Sequence, residues 1–303
     1  MGRADYDRLR RSRMQLFSRL KLRNIFPGEW ESIYTGDGIE FAAVKPFEPG
    51  DDVRDLDLHA LAQRGEEEIV QRAAGRELKV FVWADCSGSM RWAPEALFPA
   101  KAEIRDIAVA LLLYSAWNAY SPTGLCAFAQ HVWGFFPARP GERHCDEMLA
   151  WLVEQEGHER HQPADMAEAL SCMMQRVAPQ SLVFLVSDFQ DAAFAGDFAA
   201  LLRPAARRFD LVPVVIRDPL EVAGMLRHAL RIVMRDSEGG GRSEVYLTPT
   251  RLRQMQESSA QHLAHLEHGF RQVGLDHVAL SSPSVEACYE ALAGFFEARR
   301  RTR

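Results

Sequence analysis

From Leu78 onward, continuous apolar runs alternate with stretches of helical period. "LKVFVWA", "SLVFLVSD" and "DLVPVVIRD" are apolar at nearly every position, as strands covered on both faces must be. "TGLCAFAQHVWGFFP" reads as two short strands or one long bent one. Between and after them, "PAKAEIRDIAVALLLYSAWNAYS", "CDEMLAWLVEQE", "ADMAEALSCMMQRV", "FAGDFAALLRPAARRF" and "TPTRLRQMQESSAQHLAHLEHGFRQVG" carry helical spacing. The strand "DHVALSS" and the helix "SVEACYEALAGFFEARRRT" close the chain. This alternation predicts an α/β fold with a doubly wound, mostly parallel sheet over residues 78–303. "LRIVM" and "VYLT" flank "RDSEGGGRSE", which predicts a hairpin insertion near 236–248 with a glycine tip.

The first part of the chain is patterned differently. Leu9, Met14, Leu16, Phe17 and Leu20 fall near helical spacing among eight Arg or Lys residues, so residues 1–27 read as a basic amphipathic helix. Residues 28–77 are acidic and rich in turn signals such as "TGDG" and "EPGDD". The extended pieces "IEFAAVKPF" and "EIVQRAA" lie either side of a short helix around Leu58–Ala62. This is a small β-rich segment.

Composition narrows the function classes. A net charge of −6 over 303 residues gives no reason to expect general nucleic-acid binding. Five dispersed cysteines without a C-x-x-C pair suit a reducing compartment better than a disulfide framework. The N-terminus lacks an apolar core for a signal peptide, and no window approaches the roughly 18 apolar residues of a membrane span. The expectation is a cytoplasmic protein without a membrane span.

Two predicted strands end in carboxylates. "VFVWADCSGSM" runs into Asp85, Ser87 and Ser89, and "SLVFLVSD" ends in Asp188. A doubly wound sheet puts both acids on its carboxyl rim, where such folds bind ligands. The loop of Asp165 can reach the same rim. Burying these groups without partners is costly. One solution is a hard cation, Mg²⁺ or Mn²⁺, taking oxygens from Asp85, Ser87 and Ser89, and from Asp188 directly or through water. The other is a turn whose hydroxyls bond local backbone.

The "DCSGS" loop at the end of the first strand resembles the metal-ion-dependent adhesion site of von Willebrand factor A domains, and "VSD" is similar to that family's later acidic contact. The run "GDGIEFAAVKPFEPGDDVRDLDLHALAQRG" resembles the segment preceding the A domain in the bacterial family called domain of unknown function 58. The resemblance covers most of residues 28–220. It implies a von Willebrand factor A (Rossmann-like) sheet and a metal that does no chemistry itself. The ion offers an open coordination position to a partner protein's Asp or Glu. It also implies partnership with MoxR-type AAA+ ATPases or their clients, the chain acting as a non-enzymatic adaptor. One position departs from the pattern: the family's second-loop Thr falls on Ala164 in "PADM", with Asp165 following. A methyl cannot ligate, so Asp165 or water takes that place, or the site has degenerated into a structural one. Asp165 also suits a helix N-cap.

Enzymatic readings fit less well. A phosphotransferase with nucleophilic Asp85 wants a second carboxylate two residues on, where Ser87 stands. "CSGSM" lacks the first glycine of a hydrolase elbow. A metal-dependent hydrolase or phosphatase on the same rim is the alternative function. His158 and His161, and the stripe His262, His265 and His268, read as surface or interhelix residues and not as a zinc site. Trp92 reads as a lid or lining of the metal loop, and Asp51, Asp52, Asp55 and Asp57 as a solvated acidic face.

Overall fold

The structure, a computed structural model, describes residues 44–46, 68–70, 78–91, 101–155, 162–219, 230–235 and 242–301. The amphipathic helix of residues 1–27, the helix at Leu58–Ala62, the acidic run at Asp51–Asp57, Trp92, His158 and His161 lie outside the described residues. Residues 33–77 form one compact unit and residues 78–303 lie in another. In the first, strand β1 (Val44–Pro46) pairs antiparallel with β2 (Glu68–Val70). These strands fall within the two extended pieces expected there.

The larger unit is built on a six-stranded sheet. Its strands are β3 (Val80–Asp85), β4 (Thr123–Phe128), β5 (Val132–Arg139), β6 (Leu182–Ser187), β7 (Asp210–Ile216) and β10 (Val278–Leu280). They lie in the order β10-β7-β6-β3-β4-β5, all parallel except β5. "TGLCAFAQHVWGFFP" is therefore two strands, β4 turning tightly into antiparallel β5. From β3 the chain first winds outward through β4 and β5. It then returns to the other side of β3 with β6. The β3–β6 junction is the topological switch point of the sheet. The strands β8 (Leu230–Arg235) and β9 (Arg242–Leu247) pair antiparallel as a separate hairpin, the insertion the glycine tip signalled.

Helices cover both faces. They are α1 (Lys101–Asn118), α2 (Glu142–Gln155), α3 (Met166–Arg176), α4 (Ala199–Arg208), α5 (Pro249–Gln272) and α6 (Val285–Arg301). Alternation along β3 separates two cores. Val80, Val82 and Ala84 join α1, α2 and α6, for example through Leu111, Leu149 and Leu292. Phe81 and Trp83 join α3, α4 and α5 through Leu170, Leu202 and Phe270. All six residues of β3 are buried, which is why its sequence shows no polar alternation. Pro213 is tolerated inside β7 because β10 pairs only with Val214–Ile216, so the missing donor costs no bond on that side.

Helix α5 begins at an N-cap, Thr248, whose hydroxyl accepts from the Arg251 N–H, with Pro249 in its first turn. It docks closely at Gly269, where a Cβ would stand 2.3 Å from the Phe198 ring. Gly269→Ala should therefore destabilise by about 1–3 kcal/mol through overpacking. That outweighs the helix-propensity gain of about 1 kcal/mol. Thermal denaturation checks the sign, and a more stable variant would contradict this packing.

Candidate metal centre

Asp85 closes β3 with its carboxylate fully buried. One oxygen accepts from the Ser87 N–H at 2.8 Å and the other from the Ser187 hydroxyl at 2.6 Å. Ser187 is the last residue of β6, one strand away, so parallel pairing across the switch point brings the two together. Asp188 follows directly, also buried. Its Oδ1 accepts from the Ser89 hydroxyl at 3.2 Å and from the Gln190 N–H at 3.1 Å. Ser87 and Ser89 share a hydrogen bond of 3.1 Å. Since Ser89 gives its hydrogen to Asp188, Ser87 is the donor in that bond and keeps lone pairs for another partner.

Four of the five residues named from the sequence thus meet at one rim: Asp85, Ser87, Ser89 and Asp188. The fifth, Asp165, comes to the same neighbourhood in a different role. The Gly88 N–H donates to the carbonyl of Gln162, which ties the two loops together. The Asp165 side chain is exposed, and its Oδ1 accepts from the Glu168 N–H at 2.9 Å as the N-cap of α3. Ala164 beside it is half-buried.

Three participants were not singled out from the sequence. Lys101 and Arg105, one turn apart at the start of α1, reach the rim together. The Lys101 ammonium lies 2.5 Å from Asp188 Oδ2. Arg105 Nη1 donates to the carbonyl of Asp85 at 3.1 Å, while its Nε and Nη2 hold the Asp106 carboxylate at 2.8 and 2.7 Å. Ser187 is the third. Its position just before Asp188 in "VSD" was the only available signal, because strand register decides what it touches.

The turn after Asp188 is strained. Phe189 has φ +53°, the left-handed region, which costs a bulky residue about 1–3 kcal/mol. Its N–H donates to Ser187 Oγ, and its ring is fully buried against Phe194 and Phe270. Aromatic packing thus holds the turn that presents Asp188.

Burial, and then the charge of Asp188, push the Asp85 carboxyl up from 3.8 to about 6, against the pull of the Ser187 and Ser87 hydrogen bonds. Arg105 is neutralised by Asp106. Among the described residues that leaves two buried carboxylates with one ammonium, Lys101. The donor set is all oxygen and its charge excess is negative, which fits a hard divalent cation. Among the described residues no three His, Cys, Asp or Glu side chains converge. A cation bound at Asp188 would have to compete with the Lys101 ammonium.

No helix among the described residues is long and apolar enough to cross a membrane. Uncharacterized proteins of Mycobacterium tuberculosis and Mycobacterium bovis are each 24% identical over 270 residues, covering 88% of this chain and 82% of theirs. Among solved structures, the conserved hypothetical protein BatB of Bacteroides thetaiotaomicron is 13% identical with a TM-score of 0.45, covering 74% of this chain and 99% of that one. An aerotolerance-related membrane protein of Bacteroides fragilis is 12% identical with a TM-score of 0.40, covering 73% and 99%. Residues 43–265 fit the family described as "Protein of unknown function DUF58", and the chain belongs to it.

Proposed function

We propose that this chain is a non-enzymatic protein-binding adaptor whose rim holds a divalent ion, Mg²⁺ or Mn²⁺, to capture an acidic residue of a partner. The observation that carries this reading is the pair of buried carboxylates at the switch point, Asp85 and Asp188, of which Asp188 is met by the ammonium of Lys101. Asp85, Ser87 and Ser89 would hold the ion, with Asp188 joining directly or through water. When bound, the ion would supply one Lewis-acidic position for a carboxylate from outside. Ser187 orients Asp85, and Arg105 pins the backbone of the loop through the Asp85 carbonyl. The likeness of "DCSGS" to the adhesion site of von Willebrand factor A domains supports the reading. The same likeness makes a cytoplasmic MoxR-type AAA+ ATPase, or its client, the proposed partner.

The test is capture of such an ATPase by the intact chain in Mg²⁺, in EDTA, and with Asp85→Ala. Binding should disappear in EDTA and in the variant; capture indifferent to both sinks the reading. Lys101 adds a sharper expectation. Lys101→Met removes the competing cation, so calorimetric Mn²⁺ affinity should rise by at least about tenfold. Unchanged affinity would remove Lys101 from the ion's surroundings.

A second reading has its own observations. The bond from Lys101 to Asp188 and the methyl of Ala164 both suit a structural interaction protein with a degenerate metal site. Wild-type chain that takes up no Mn²⁺ at millimolar concentration would favour it.

A further inference from the structure

The parallel strands all start at one edge of the sheet, opposite the carboxylate rim, and α4, α5 and α6 run back to it. Local contacts fix the chain there. The Gln180 N–H, shortly before β6, donates to the Arg208 carbonyl at the end of α4. Arg299, in the last turn of α6, pairs with Asp210, the first residue of β7. The antiparallel strand β5 ends at the same edge, with Arg139 opposite Thr123.

This amino edge is cationic, the opposite sign to the rim. Lys79, Arg139, Arg207, Arg271, Arg300 and Arg301 are all exposed on it. Of the acids beside them, Asp210 and Asp276 both face Arg299, and Glu147 pairs with Arg143. Glu142 and Glu297 also lie near it, exposed. The whole chain carries −6, so positive charge is gathered on this edge against the overall balance. Helix C-termini favour cations through the helix dipole, which accounts for Arg207, Arg271, Arg300 and Arg301. It does not account for Lys79 and Arg139, which flank strands. Tyr120 is a second, independent observation. It follows α1, and the Val80 N–H bonded to the Pro122 carbonyl places this turn at the same edge. Tyr120 is 44% exposed with φ +56°, a left-handed position that glycine commonly takes after a helix. The chain thus accepts backbone strain and still presents an aromatic ring there.

We infer that the amino edge docks on the surface of a bilayer containing anionic phospholipid. Six strands at a spacing of about 4.8 Å spread the cations over roughly 24 Å. The helices that carry them lie on both faces of the sheet, α4 and α5 on one and α6 on the other. An acidic side chain would meet one of these cations, and a nucleic-acid strand a line of them. A plane of headgroups meets them all. Each basic residue at such a surface is worth roughly fivefold in partitioning. The Tyr120 ring, apolar with a polar tip, suits the headgroup level. Docked in this way, the carboxylate rim points away from the bilayer and stays open to a partner. The inference goes beyond the proposed function and does not depend on a bound metal.

The test is sedimentation of the intact chain with vesicles in EDTA, so that the metal reading is not in play. Vesicles of phosphatidylcholine with roughly a third phosphatidylserine should carry the chain down, and pure phosphatidylcholine should not. Raising salt from about 0.1 M to about 1 M shortens the screening length from about 10 Å to about 3 Å and should release it. Reversing two charges with Arg300→Glu and Arg301→Glu should weaken partitioning by at least about twentyfold. Lys79→Glu with Arg207→Glu should do the same, and it serves where the first pair does not fold. Arg251→Glu with Arg253→Glu changes net charge equally at the far end of α5, where both residues are exposed, and should have a much smaller effect. No binding to the anionic vesicles overturns the inference. So does binding indifferent to both edge pairs, which would assign it to the basic residues 1–27, or an equal loss in the Arg251 and Arg253 control. Release from the vesicles by duplex DNA or polyglutamate at equal charge would assign the edge to a nucleic acid or an acidic protein, and overturns it as well.

Discussion

Asp85→Asn should make the metal-free protein more stable at pH 7.5 by about 3 kcal/mol, although it removes a buried hydrogen-bonded side chain. The reason is the raised carboxyl of Asp85, about 6 in the folded protein against 3.8 ordinarily. Between these values the folded state holds a proton that the unfolded chain has released. Stability from this group therefore falls as pH rises from about 4 to about 6, and stays low above that. Asparagine mimics the neutral acid and escapes the penalty. Below about pH 4 both states of the wild type are protonated, and the advantage of the variant should vanish. Saturating Mg²⁺ should also cancel it, by stabilising the wild type alone. Thermal melts of both chains from pH 4 to 8 in EDTA give the comparison. Parallel pH profiles would mean that burial and the charge of Asp188 do not raise the Asp85 carboxyl, and the charge argument for a cation would go with it.

The second large effect is expected in the aromatic core behind the rim. Phe270, fully buried in α5, meets Phe189 at 5.5 Å and Phe198 at 5.7 Å between ring centroids, both T-shaped. Phe189 is the left-handed residue that follows Asp188. Phe270→Ala should cost about 3–5 kcal/mol in chemical denaturation, through lost burial and the cavity left behind. Phe270→Leu, which keeps more of the volume, should cost less. The alanine variant should also bind Mn²⁺ more weakly than the leucine variant, because the strained turn loses its wedge. Equal metal affinity in both would uncouple the aromatic cluster from the site.

The expectations made from sequence divide along a physical line. Apolar runs such as "VFVWA" and "LVFLV" are legible as buried strands because both their faces are covered, and Asp85 and Asp188 stand out because each ends such a run. The N-cap at Asp165 is equally local, since its partner is the Glu168 N–H three residues away. Its alternative use as a ligand came from a resemblance. The hydrogen-bonding of Ser187 to Asp85 was not legible, because strand order and register put them together across 102 residues.

By itself, then, the sequence determined the alternation of strands and helices, the parallel sheet that follows from it, and the acids at two strand ends. All of these depend on residues adjacent in the chain. The tertiary structure alone decided which charges face one another. Lys101 and Asp188 lie 87 residues apart, and no local pattern announces that the ammonium of one sits on the carboxylate of the other. Electrostatic energy depends on distance in space and on burial, and packing sets both.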